Sequence, residues 1–141
     1  MTVSNLHHVA IRVQDPDRSR RFYEDVLGLS FMELPVGESM SSAWRGSPKE
    51  GTMLATQAGE TFVILAPPLE GTPGDDRFSE YRIGVDHLAF GVDDRATLDG
   101  LVERLGAQGV DTAGVETDPV LNKEYVCFRD PDNVQWEFYS R

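Results

Sequence analysis

The run Leu6-His7-His8-Val9-Ala10-Ile11-Arg12-Val13-Gln14-Asp15 is echoed in the second half by Val85-Asp86-His87-Leu88-Ala89-Phe90-Gly91-Val92-Asp93-Asp94. A chain that opens each half alike is built from two equivalent modules. His8 and His87 occupy the same place in the echo, each starting an apolar alternation that closes on an acidic residue. Alternation of period two is the signature of a strand with one face buried. It puts His8, Ala10 and Arg12 on one face, and His7, Val9, Ile11 and Val13 on the other.

The rest of each half repeats an order of elements rather than of residues. Asp15-Pro16-Asp17 supplies a cap, a proline suited to the first helical position and an acid for the positive end of the dipole. Phe22, Tyr23, Val26 and Leu27 then recur at helical spacing, and Gly28 provides a stop. Strands are predicted around 31–34, 52–57 and 61–66, with Ala58-Gly59-Glu60 as the turn between the last two. Residues 67–84, rich in proline and glycine at their start, read as a connection. The second half repeats the pattern: a strand over 85–92, a cap at Asp94, and a helix carrying Leu98, Leu101, Val102 and Leu105 that ends at Gly106. Strands follow near 114–116, 125–129 and 134–139, with Asp130-Pro131-Asp132-Asn133 as a turn.

The expected class is therefore α+β, with two βαβββ modules: module one at 1–66, the connection at 67–84, and module two at 85–141. A half of about 65 residues has too small a core to stand comfortably alone. One curved mixed sheet with the helices outside buries Val9, Ile11 and Val13 together with Leu88, Phe90 and Val92. The opposite faces then line a cup.

Composition removes several classes of function. With 40% hydrophobic and 26% charged residues the 141-residue chain reads as an ordinary globular domain. A net charge of −11 argues against a nucleic-acid partner, whose phosphates demand a basic surface. No run of about 18 apolar residues suggests a membrane span, and Met1 to Asn5 shows no signal peptide. The single cysteine, Cys127, excludes an internal disulfide and a cysteine zinc cluster, and suits a reducing cytoplasm.

By strand parity His8, His87 and Glu137 project away from the helices. Glu137 lies between Trp136 and Phe138, an unusual setting for an unpaired carboxylate, and a divalent cation would supply the missing charge. Two imidazoles and a carboxylate make a site that leaves positions open to a substrate. Each histidine has a plainer alternative as a packed or surface residue, and Glu137 has one facing solvent. Tyr125 and Cys127 share a face of the penultimate strand, while Arg12 and Tyr139 lie on the metal side of theirs. Tyr125 is a candidate to donate a hydrogen bond or take a proton, or simply packs at the sheet edge. Arg12 is suited to an anionic substrate group or to a salt bridge at the rim. Cys127 lines the cup or serves as a small buried hydrophobe. Trp44 belongs to a polar segment suited to a lid or to a dimer contact.

His8-Val9-Ala10-Ile11-Arg12-Val13, Asp15, and Phe22-Tyr23-Glu24-Asp25-Val26-Leu27-Gly28-Leu29 resemble the opening of a vicinal oxygen chelate protein. That superfamily includes glyoxalases, bleomycin-resistance proteins and extradiol dioxygenases. Phe128-Arg129-Asp130-Pro131-Asp132-Asn133, running into Trp136-Glu137-Phe138, resembles its ending. The resemblance implies up to four metal positions on the first and last strands of each module. Three map onto His8, His87 and Glu137. The fourth aligns with Ile64, which cannot bind a metal, where glyoxalase I-type members use a glutamate as ligand and base.

The resemblance therefore implies a metal-dependent enzyme acting on a small substrate that chelates through adjacent oxygens, with dioxygenase-type ring or C–C cleavage first. Fe(II) is the favoured metal, and Mn(II), Co(II), Ni(II) and Zn(II) are allowed by the ligands. Lyase, isomerase or epimerase chemistry beside a carbonyl is the alternative enzyme reading. Thiol transfer to an antibiotic lacks the cluster of cations that a phosphonate substrate needs. A metal-free antibiotic-binding protein is the rival from another class. A homodimer is expected, with the ligand set completed within one chain or across two.

Overall fold

A computed structural model describes residues 2–34 and 52–141. Their order is β1 (His8–Arg12), α1 (Pro16–Leu27), β2 (Met32–Leu34), β3 (Met53–Ala58), β4 (Thr61–Ala66), β5 (His87–Val92), α2 (Arg95–Ala107), β6 (Val115–Asp118), β7 (Lys123–Arg129) and β8 (Gln135–Ser140). This is the α+β arrangement of two βαβββ halves. Each half forms a four-stranded mixed sheet, in the order β1-β4-β3-β2 and β5-β8-β7-β6. In both, the first strand runs parallel to the last, and the remaining pairs are antiparallel. The expected lid around Trp44 lies outside the described residues, as does most of the segment before β3.

Two compact units result: Met1–Glu24 with Gly28–Asp76, and Asp25–Leu27 with Arg77–Arg141. The division falls inside the connection, and hydrogen bonds show why. Gln14 donates its side-chain amide to the carbonyls of Pro73 and Asp76, holding the early part to the first unit. The later part is held to the second, where Phe78 donates its backbone N–H to the Asp132 carbonyl and accepts from the Asn133 amide.

In the first unit the alternation works as expected. Ile11 and Val13 are buried while His8, Ala10 and Arg12 are exposed. Val63, Leu65, Leu54 and Tyr23 complete a core that is mainly aliphatic. Asp15 caps α1 by accepting the Arg18 N–H, with Pro16 in the first turn. Gly28 closes it at φ 67°, a left-handed conformation that costs glycine little, with its N–H bonded to the Glu24 carbonyl.

The second unit has an aromatic core. Phe90 stacks on Trp136 and on Phe138, and Phe128 stacks on Phe138. Helix α2 packs across β6, β7 and β8 through Leu98, Leu101 and Leu105. Asp94 caps it, accepting from the Thr97 N–H and hydroxyl. The predicted end at Gly106 is corrected: the helix runs on to Ala107. Gly109, at φ 67°, is the residue that turns the chain. Gly109 N–H bonds the Gly106 carbonyl and Val110 N–H the Leu105 carbonyl, the paired closure of a Schellman motif. Gly106 keeps an ordinary helical φ, so its flexibility is not used.

The turn into β8 is built on Asp130, which is buried. One of its oxygens accepts the Asp132 and Val134 N–H groups, and the other accepts the Trp136 indole N–H at 3.4 Å. One carboxylate thus ties the turn to the strand that carries Glu137. Among the described residues, no helix is long and apolar enough to cross a membrane.

Candidate metal centre

In the second sheet, ladder register decides which side chains share the face opposite the aromatic core. Ala89 and Cys127 both pair with Glu137, Gln135 pairs with His87 and Arg129, and Tyr139 pairs with Gly91 and Tyr125. Directly paired residues point to the same side, so His87, Gln135, Glu137, Tyr139, Tyr125, Cys127 and Arg129 form one polar surface. The β5 residues paired with Glu137 and Tyr139 are small, Ala89 and Gly91.

His87 and Glu137 are brought together. Imidazole Nε2 lies 3.5 Å from carboxylate Oε2, with the Glu137 side chain 12% exposed and that of His87 39%. On its other side, His87 Nδ1 sits 2.6 Å from Asp86 Oδ1. An ionised carboxylate only accepts, so Nδ1 carries the shared proton, and in the neutral imidazole the Nε2 lone pair faces Glu137. Glu137 Oε1 in turn accepts the Gln135 amide at 3.0 Å. Gln135 accepts from Arg129, which also donates to Glu80 at 2.7 Å and to the Asn133 carbonyl.

The remaining groups on this face are shifted by burial first and by its negative charge second. Burial raises the Tyr125 hydroxyl above its ordinary value, and the Glu116 and Glu137 carboxylates push it further. Burial and then Glu137 do the same to the Cys127 thiol. Tyr139 is raised by burial and by donating its hydroxyl to Asp118 at 2.9 Å. All three stay protonated near neutrality. The two tyrosine rings stack with centroids 5.1 Å apart.

In the first unit, His8 stands exposed at the start of β1, its Nδ1 3.0 Å from Nδ1 of His7. Arg12 donates to the Pro67 carbonyl at 2.7 Å, fastening the end of β1 to the connection. Ile64 pairs with Ala10 and Ala55, the register position that Glu137 holds between Ala89 and Cys127. Among the described residues, neither unit by itself gathers three His, Cys, Asp or Glu side chains into a metal-competent group.

Asp86 and Gln135 were not singled out from the sequence as site residues. Their only signal was position: one precedes a strand histidine, and the other lies two residues before a strand glutamate, on the same face. Asp118, which anchors Tyr139, had no local signal because it comes from β6.

The family model for the Glyoxalase/Bleomycin resistance protein/Dioxygenase superfamily matches residues 5–138. The chain is 31% identical to the uncharacterized protein YwkD of Bacillus subtilis over 142 residues, covering all of both chains. It is 29% identical to the uncharacterized protein YaeR of Escherichia coli, covering 99% of this chain and 98% of that one. A solved glyoxylase/bleomycin resistance protein/dioxygenase domain from Frankia sp. EAN1pec superposes with a TM-score of 0.77 at 30% identity, covering 99% and 98% of the two chains. With the match spanning both βαβββ halves, the chain belongs to the Glyoxalase/Bleomycin resistance protein/Dioxygenase superfamily.

Proposed function

We propose that the protein is a divalent-metal-dependent enzyme whose ion is held by His87, Glu137 and His8, the last from the same chain or from a second copy in a homodimer. Members of the superfamily are mostly metal-dependent enzymes. The observation that carries the reading is the His87–Glu137 pair: imidazole Nε2 and carboxylate Oε2 face each other at 3.5 Å. Two electron-rich atoms so placed repel unless a proton or a cation lies between them, and their donor types suit a first-row divalent metal. Glu116, paired with Tyr125 on the same face, adds negative charge that a cation would offset.

The favoured reaction is dioxygenase-type cleavage of a small substrate presenting adjacent oxygens. A bound ion would supply Lewis acidity toward those oxygens and, as Fe(II), a place for dioxygen. Tyr125, held in its protonated form, would donate a hydrogen bond to a substrate oxygen rather than act as base. Cys127 would form a small neutral wall beside Glu137, Tyr139 would be held still by Asp118, and Arg12 would contact an anionic substituent. Ile64 supports this reading over a glyoxalase-like one, because the first sheet has no carboxylate at that position to move a proton.

Oxygen uptake with catechol-type substrates tests it. Turnover should depend on added Fe(II) and vanish in His87→Ala. Anaerobic activity with Co(II) or Mn(II) would replace the dioxygenase with a lyase or isomerase. Failure to bind metal, with stoichiometric capture of an aromatic antibiotic, would replace the enzyme with a binding protein.

A further inference from the structure

We propose that Asp86 and Gln135 are positioning residues that select which atoms of His87 and Glu137 face the metal. The inference rests on the metal reading above and adds two residues to it. Each candidate ligand of the second sheet has two atoms able to bind a cation, and in each one atom is already committed. Asp86 Oδ1, at 2.6 Å, holds the proton on His87 Nδ1 and leaves Nε2 as the donor. Gln135 Nε2, at 3.0 Å, occupies Glu137 Oε1 and leaves Oε2. The two atoms left over are the pair that face each other.

The Gln135 amide cannot reverse without loss. Its Oε1 accepts from Arg129 at 3.1 Å, and a guanidinium has only donors, so the amide NH₂ must point at Glu137. Arg129 is itself held by Glu80 and by the Asn133 carbonyl. A chain of four side chains thus runs from the connection to the carboxylate, Glu80–Arg129–Gln135–Glu137. Asp86 acts from the segment entering β5, through a half-exposed imidazole, and needs no other partner.

The test uses the full chain and two readouts. In the metal-free protein, at a pH where imidazole is neutral, long-range ¹H–¹⁵N spectra report the His87 tautomer. The wild type should carry the proton on Nδ1; Asp86→Ala should shift it toward Nε2, and Asp86→Glu, which keeps an acceptor-only carboxylate, should retain Nδ1–H. Titration with Co(II) alone should then show affinity reduced about 10–100-fold in Asp86→Ala and in Gln135→Ala, with partial recovery in Asp86→Glu. The Co(II) absorption spectrum should change in Gln135→Ala while thermal stability stays near wild type. An unchanged tautomer in Asp86→Ala, or affinities within about twofold of wild type in both alanine variants, overturns the proposal. A wild type that binds no Co(II) overturns the metal reading and the role of Gln135 with it; the tautomer result still decides what Asp86 does.

Discussion

The two sheets share one ladder and carry opposite chemistries. Strand order, direction and register repeat, so that Ala10, Ile64 and Ala55 in the first correspond to Ala89, Glu137 and Cys127 in the second. On the open face a branched hydrocarbon stands where the other sheet has a carboxylate. On the core face Val63 stands where the other has Trp136, and Leu65 where it has Phe138. Even the residue before each histidine differs: His7 in one half, Asp86 in the other. Alternation and helix caps are enough to reproduce the backbone, and those have been kept in both halves. Chemistry depends on a few face positions, and those have diverged. His8 illustrates the consequence, because its Nδ1 meets another imidazole that can either donate or accept, whereas His87 meets an acceptor-only carboxylate.

The core contrast gives the largest expected effect. Trp136 is 1% exposed and stacked on Phe90, so Trp136→Ala should cost about 3–5 kcal/mol. Its first-sheet counterpart, Val63→Ala, should cost about 2 kcal/mol. Urea unfolding of both variants checks this, and equal losses would erase the distinction between aromatic and aliphatic cores.

Exchanging the face residues comes next. Ile64→Glu places a charge among Ala10, Ala55 and their neighbours, with no cation supplied, and should destabilise the metal-free protein by about 1–3 kcal/mol. The reverse change, Glu137→Leu, should leave the metal-free protein at least as stable as wild type, since it removes a largely buried charge. Thermal unfolding in the presence of a chelator measures both. A large loss in Glu137→Leu would mean that the carboxylate is there for structure.

The smallest effect concerns pH. The Leu121 and Val120 N–H groups, then the Tyr139 hydroxyl, hold the Asp118 carboxyl below its ordinary 3.8. A folded value below the unfolded one means that the contribution is present above the unfolded value and is lost as pH falls through the folded one. The stability difference between wild type and Asp118→Asn should therefore be full well above the ordinary carboxyl value and fade as pH falls below it. Melting temperatures from pH 2 to 7 would show it; a difference independent of pH would assign the loss to hydroxyl geometry instead.

What could be read from the residues was whatever local rules govern. The alternation of His8 to Val13 and of His87 to Val92, the caps at Asp15 and Asp94, and the stop at Gly28 are decided within a few residues. Gly106 misled because a glycine near the end of an apolar stripe marks a stop only when the chain needs a positive φ there, and Gly109 meets that need. Strand β7 begins at Lys123 rather than near Tyr125, since its pairing with Glu116 to Asp118 extends it. Parity placed His87 and Glu137 on the same side of their strands. Their meeting also depends on the parallel register of β5 with β8, which no short-range pattern encodes. The roles of Asp86 and Gln135 depend on side-chain hydrogen bonds and emerged only with the fold.

Everything functional turns on whether His87 and Glu137 hold an ion. Titrating the chelator-treated protein with Fe(II) under anaerobic conditions, and with Co(II), is the direct measurement. About one equivalent per chain should bind to the wild type, and affinity should fall about 100-fold or more in His87→Ala and Glu137→Ala, beyond the loss expected for an outer partner. No binding by the wild type, or binding that both variants retain undiminished, would contradict the account.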